Sequence, residues 1–159
     1  MRLRNMTSLY LVNDQGILCL FRIGSRVANG KYVGAAGGHF ENHEMNDPKA
    51  CVLREAKEEL DLSECEIPDM KLRYITYRLK DGEIRQNFYF FASLPEGRSF
   101  ESNEGRLEFI PYEKTPALDM PVSARNMLTH YVEIGRYTEH VYAGITEENG
   151  TEFRVLKEF

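Results

Sequence analysis

The chain has 159 residues, 42% hydrophobic and 28% charged, with a formal net charge of −5, a size and composition that predict one soluble domain over residues 1–159. The negative balance argues against a nucleic-acid polymer as partner, no run could span a membrane, and MRLRNMTSLY lacks an apolar segment of signal-peptide length. Cys19, Cys51 and Cys65, an odd number without metal-type spacing, point to reduced thiols and a cytoplasmic location.

Residues 5–13 and 17–23 read as two strands joined by a turn at Asp14-Gln15-Gly16. A loop follows from Gly24 to Lys31. Arg22 ends the second strand, where it either reaches a phosphate or remains a solvated arginine. Tyr32 to Ala36 reads as a strand end leading into Gly37-Gly38. A helix then starts with Asn46 or Asp47 as N-cap and Pro48 in its first turn. At about 100° per residue, Val52, Leu53, Ala56 and Leu60 share one arc. Glu55, Glu58 and Glu59 share another, with Cys51 beside them.

After a connection over Ser63 to Asp69, residues 70–80 and 84–94 form the clearest hairpin, turning at Asp81-Gly82. Its aromatics, Tyr74, Tyr77, Phe88, Tyr89, Phe90 and Phe91, read mainly as core, although some could stack on a purine. Pro95 to Gly105 is a polar loop, and RLEFIPY a short strand. A second helix opens at Pro121 and runs to about Arg136. The tail carries two strand-like runs around Asn149-Gly150, expected as an edge ribbon or a homodimer contact. His39 and His43 are read as surface residues, His39 near the edge of a pocket.

The carboxylates on the first helix are poorly explained by helix stability. Glu55 faces Glu58 and Glu59 across one turn, and each like-charge pair costs about 0.2–0.5 kcal/mol. Glu58 and Glu59 also lie near the helix C-terminus, where negative charge is disfavoured. A hard divalent cation would turn these costs into ligation, and a glycine before the helix lets a backbone carbonyl approach such an ion.

In its motif this stretch resembles the Nudix hydrolases, whose box reads G-x5-E-x7-R-E-U-x-E-E-x-G-U with U a bulky aliphatic residue. Gly38, Glu44, Arg54, Glu55, Glu58, Glu59 and Leu62 fill its fixed positions, which places the box at about residues 38–62. The chain departs from it in three places. The loop between Glu44 and Arg54 is two residues longer, Asp61 replaces the box glycine, and Ala56 is small for its position. Asp61 is expected to take the left-handed conformation that the glycine would. The reach of Glu44 to Arg54 depends on where the extra residues go.

The resemblance implies the Nudix fold, a mixed β-sheet sandwiched between α-helices, and hydrolysis of a nucleoside diphosphate linked to another group. It implies that Glu58, Glu59, the Gly38 carbonyl and Glu55 hold Mg²⁺ or Mn²⁺. Arg54 would orient the glutamates, with Glu44 supporting the loop and Arg22 near the substrate. It also implies one more glutamate, metal ligand or general base, from the loop before a late strand. Glu101, Glu104 and Glu108 compete for that role, and Glu104 is preferred because Gly105 beside it permits close approach to the box helix. The segment from Glu104 to Phe109 resembles MutT-type members, which implies an oxidised purine nucleoside triphosphate such as 8-oxo-dGTP. ADP-ribose or another dinucleotide, and a catalytically silent nucleotide sensor, remain the alternatives.

Overall fold

The computed structural model describes residues 1–26 and 28–157, so position 27 in the Gly24–Lys31 loop and the last two tail residues lie outside the described residues. The first hairpin pairs β1 (Arg2–Val12) with β2 (Gly16–Arg22). Asn13 holds its turn, its Oδ1 accepting from the N–H groups of Gln15 and Gly16 at 2.8 and 3.1 Å. β3 (Tyr32–Gly34) precedes helix α1 (Pro48–Leu60). The second hairpin is β4 (Lys71–Lys80) with β5 (Glu83–Ser93), followed by β6 (Gly105–Pro111). Helix α2 (Val122–Glu133) and the terminal hairpin β7 (Tyr142–Glu147) and β8 (Gly150–Val155) complete the chain.

All eight strands join one sheet in the order β3-β2-β1-β5-β4-β7-β8, with β6 pairing with β2. β1 runs parallel to β5, as does β4 to β7, and the remaining pairs are antiparallel. The sheet is therefore mixed and apolar on both faces. Leu9, Leu11 and Phe90 pack with Val52, Ala56 and Leu60 of α1, while Tyr10, Tyr74 and Phe91 pack with Met127, Leu128 and Tyr131 of α2. A sheet covered by helices on both faces is what the resemblance implied.

Several elements differ from the sequence reading. β1 begins at Arg2 rather than at residue 5, because the parallel partner β5 continues to pair down to Arg2↔Glu83. α2 stops at Glu133 rather than at about Arg136, and Ile134 just beyond it is 48% exposed. Among the aromatics, Tyr74, Tyr89, Phe90 and Phe91 are buried, whereas Tyr77 is at the surface. No helix among the described residues is long and apolar enough to cross a membrane.

Candidate active site

Helix α1 is fixed at both ends. The Asp47 side chain is the N-cap, its Oδ1 accepting from Ala50 N–H at 2.9 Å. At the other end Asp61 takes the left-handed conformation (φ 50°, ψ 35°), and the N–H groups of Asp61 and Leu62 reach the carbonyls of Lys57 and Ala56 at 3.0 and 3.2 Å. A left-handed residue whose N–H reaches the carbonyl four residues back is the helix ending usually made with glycine, made here with an aspartate, as expected. Arg98, from the loop after β5, donates to the Leu60 and Asp61 carbonyls at 3.2 and 2.6 Å, pairs with Glu66 and lies over the Phe100 ring.

The segment before α1 runs antiparallel beside β1. Leu9 N–H donates to Ala36 O at 2.7 Å, Thr7 N–H to Gly38 O at 2.9 Å and Phe40 N–H to Asn5 O at 3.2 Å. Gly37 is required here, since a Cβ on it would overlap Thr7 O, and a Cβ on Gly38 would displace the Glu55 carboxylate. Gly37 N–H donates to Glu59 Oε2 at 2.9 Å. The extended glycine segment and the helix carboxylates are thus in direct contact. One lone pair of the Gly38 carbonyl is already engaged by Thr7, which leaves the other for an ion.

Glu44 ends a short 3-10 turn (Asn42–Glu44) and is 1% exposed. It binds Arg54 with both oxygens, Nε to Oε1 at 2.7 Å and Nη2 to Oε2 at 3.0 Å. The longer loop does not prevent this contact, because Met45, Asn46 and Asp47 project into solvent. Arg54 also donates to Glu55 at 2.9 Å, to Glu58 at 3.2 Å and to His39 O at 3.1 Å. The guanidinium holds the Glu44 carboxyl down at about 2.

A cleft of about 510 Å³ opens beside this network, lined in part by Arg22, Gly37, Gly38, Glu55, Glu59 and Glu104. Glu104 reaches it because its carbonyl accepts from Ile23 N–H at 3.1 Å and its carboxylate pairs with Arg22 at 3.5 Å. Gly105 matters for a different approach from the one expected: a Cβ there would overlap Phe21 O of β2, not the box helix. Burial, then the neighbouring charges of Glu104 and Glu55, pushes the Glu59 carboxyl up to about 8. Burial also raises Glu55.

The other candidates lie elsewhere. Glu108 accepts from Tyr32 Oη and Arg106 Nε, both at 2.6 Å, and Glu101 lies with Glu58 along a separate hollow at the C-terminal end of α1. Glu58 is 58% exposed, paired with Arg54 and not among the residues that line the cleft. Arg22 projects into the cleft with its Nε buried and without a hydrogen-bond partner among the described residues.

Cys51 is fully buried, against Thr7 on one side and beside the Arg54 guanidinium that binds the carboxylates on the other. His39, expected at the surface near the edge of a pocket, is exposed, lines the cleft and accepts from Arg4 Nε at 2.6 Å. Sequence reasoning missed Phe40, Ser25 and Arg26 as cleft residues; only their nearness to Arg22 and Gly38 could have suggested them. Glu41, His43 and Glu44 also cluster, but Arg54 occupies both Glu44 oxygens. Glu55 and Glu59 reach the Gly37-Gly38 segment and Glu104 lines the same cleft, a set of hard oxygen donors of the kind a divalent cation takes.

The fold is shared with proteins of known structure. None of the curated proteins matches the chain. Among solved structures it is similar in fold to the mutator MutT protein of Bacillus halodurans, at 20% identity over 96% of this chain and 97% of that one, with a TM-score of 0.68. A MutT protein from Methanosarcina mazei Go1 matches at 17% identity over 83% and 94%, with a TM-score of 0.65. The NUDIX domain of Shewanella oneidensis NrtR, complexed with ADP-ribose, matches at 13% identity over 87% and 89%, with a TM-score of 0.63. Residues 1–131 match the family model described as the NUDIX domain, and the chain belongs to the Nudix family of hydrolases.

Proposed function

We propose that the chain, folded as one domain over residues 1–159, is a metal-dependent pyrophosphohydrolase. It would cleave a nucleoside diphosphate linked to another group, with a purine nucleoside triphosphate, oxidised as in 8-oxo-dGTP, as its foremost substrate. The observation that carries this reading is that Glu55 and Glu59 reach the Gly37-Gly38 segment and share one cleft with Glu104 and Arg22. Mg²⁺ or Mn²⁺ bound there supplies charge neutralisation on the phosphate oxygens and lowers the pKa of an attacking water. Glu55, Glu59, Glu104 and the Gly38 carbonyl would hold it, with Glu58 at the outer margin.

The protein's own part is positioning and proton transfer. Arg54, anchored by Glu44, fixes the rotamers of Glu55 and Glu58 through its hydrogen bonds. Arg22 places its guanidinium where phosphate charge develops, and its orphaned Nε gains an acceptor when a phosphate oxygen arrives. Glu104, on a loop and able to approach the reacting phosphorus, takes the proton of water. With all these carboxylates present, hydrolysis is a better account than silent nucleotide sensing.

ADP-ribose is the second reading, supported by the likeness in fold to a domain seen with that ligand. A panel of 8-oxo-dGTP, dGTP, ADP-ribose and dinucleoside polyphosphates, assayed with Mg²⁺ for phosphate or pyrophosphate release, separates the cases. The highest kcat/KM is expected for the oxidised triphosphate. Tight binding without turnover of any member would overturn hydrolysis in favour of sensing.

A further inference from the structure

The terminal hairpin lies beyond the part of the chain that matches the family model, and it leaves one side of the sheet open. β8 is the last strand of the order, and no described strand pairs with its outer side. Which backbone groups face outward follows from the ladder. Leu156 N–H donates to Val141 O at 2.8 Å, and Tyr142↔Val155 is the next pair. Leu156, Arg154, Glu152 and Gly150 therefore point their N–H and C=O groups at β7, and Thr151, Phe153 and Val155 point theirs outward.

An open strand invites another strand, and proteins usually blunt one with a proline, a bulge, lone lysines or a covering loop. β8 contains no proline or lysine, and its register with β7 is continuous. It carries Glu152 and Arg154, one charge of each sign, with side chains 69% and 79% exposed.

We propose that β8 is a self-association edge, pairing antiparallel with β8 of a second copy of this chain about a two-fold axis at Phe153. In that register Phe153 faces its own copy and Thr151 faces Val155, so the outward groups form roughly six hydrogen bonds between the chains. Glu152 then stands opposite the second copy's Arg154, and Arg154 opposite its Glu152, in the closer, non-hydrogen-bonded type of pair. Centring the axis on residue 152 would set glutamate against glutamate, and centring it on 154 arginine against arginine. Charge thus selects one register. The result is a closed two-fold pair with one continuous sheet, not an open fibril.

The edge lies four strands from β1, beside which the candidate active site is built, so the pairing does not depend on any substrate assignment. A strand of this length buries less than a standard interface, and a reversible dimer is expected, forming over about 1–200 µM.

Sedimentation velocity across that range, with thermal melts to verify folding, tests the register. Glu152→Arg alone and Arg154→Glu alone should each raise the dimer Kd by about tenfold or more. The double swap E152R/R154E should restore it, because opposite charges again face each other. A wild type that stays monomeric throughout overturns the proposal. So does a dimer indifferent to the single reversals, or single losses that the double swap fails to rescue.

Discussion

Replacing Glu44 with glutamine keeps the side-chain volume and removes one charge from a buried two-oxygen contact. Both carboxylate oxygens accept from Arg54, and Oε2 also accepts from Glu41 N–H at 2.8 Å. An amide offers a single accepting oxygen, so its NH₂ group must face either the guanidinium or the Glu41 N–H. The contact holds the carboxyl at about 2 against 4.5 in the unfolded chain, which corresponds to about 3 kcal/mol at 1.36 kcal/mol per pH unit. Arg54 is 22% exposed and keeps Glu55 and Glu58, which lowers the expected loss to about 2 kcal/mol.

The pH dependence of that loss has a definite sign. A carboxyl depressed on folding stabilises above its unfolded pKa and loses that contribution as pH falls through the folded one. The gap between wild type and Glu44→Gln should therefore be full near neutrality and shrink from 4.5 towards about 2. Urea unfolding of both proteins without metal, at several pH values across that window, measures it. Equal stability at neutral pH, or a gap unchanged at the acid end, would refute the reasoning.

Glu59→Gln should lower kcat by about 10²-fold or more while the fold is kept; near wild-type kcat at limiting Mg²⁺ would remove Glu59 from the ion's ligands. Deleting Met45 and Asn46, which restores the family spacing, should leave activity largely intact because both residues are exposed; loss of activity in a folded variant would show that the longer loop shapes the cleft. Among Glu101→Gln, Glu104→Gln and Glu108→Gln, only Glu104→Gln should lose about 10²–10⁴-fold in kcat at saturating Mg²⁺, and collapse of another member would reassign the base.

The parts of the site that were legible in sequence are those written into local chemistry. Asp47-Pro48 announced the helix start, and the spacing of Glu55 and Glu59 placed both on one side of α1. The Asp61 cap could be anticipated because aspartate tolerates the left-handed region. What sequence could not show is set by distant partners. Helical periodicity put Cys51 on the carboxylate side, where Arg54 reaches it, but could not show that Thr7 from β1 closes over it. Glu58 has the spacing of its neighbours, yet it stays largely exposed against Arg54 and does not line the cleft. The parallel pairings of β1 with β5 and β4 with β7 leave no local mark, since each joins segments far apart in sequence. The same holds for Gly105, whose close neighbour proved to be the backbone of β2.

The Arg98 contacts bear on how far the chain between β5 and β6 can vary. Glu104 comes from that connection, yet the connection is pinned partway along to the carbonyls of Leu60 and Asp61, at the end of the helix that carries Glu55 and Glu59. The freedom of Glu104 is thus set by the short stretch after Arg98 and by the start of β6, not by the whole span from Leu94. Halving the free length of a flexible loop reduces its closure entropy by only about 0.6 kcal/mol, so the larger effect is on placement. Residues added between Leu94 and Arg98 would bulge out before the pin and leave Glu104 in position. Residues added between Arg98 and Glu104 would move the carboxylate relative to the helix. Variation in length is therefore cheap on one side of a single arginine and costly on the other.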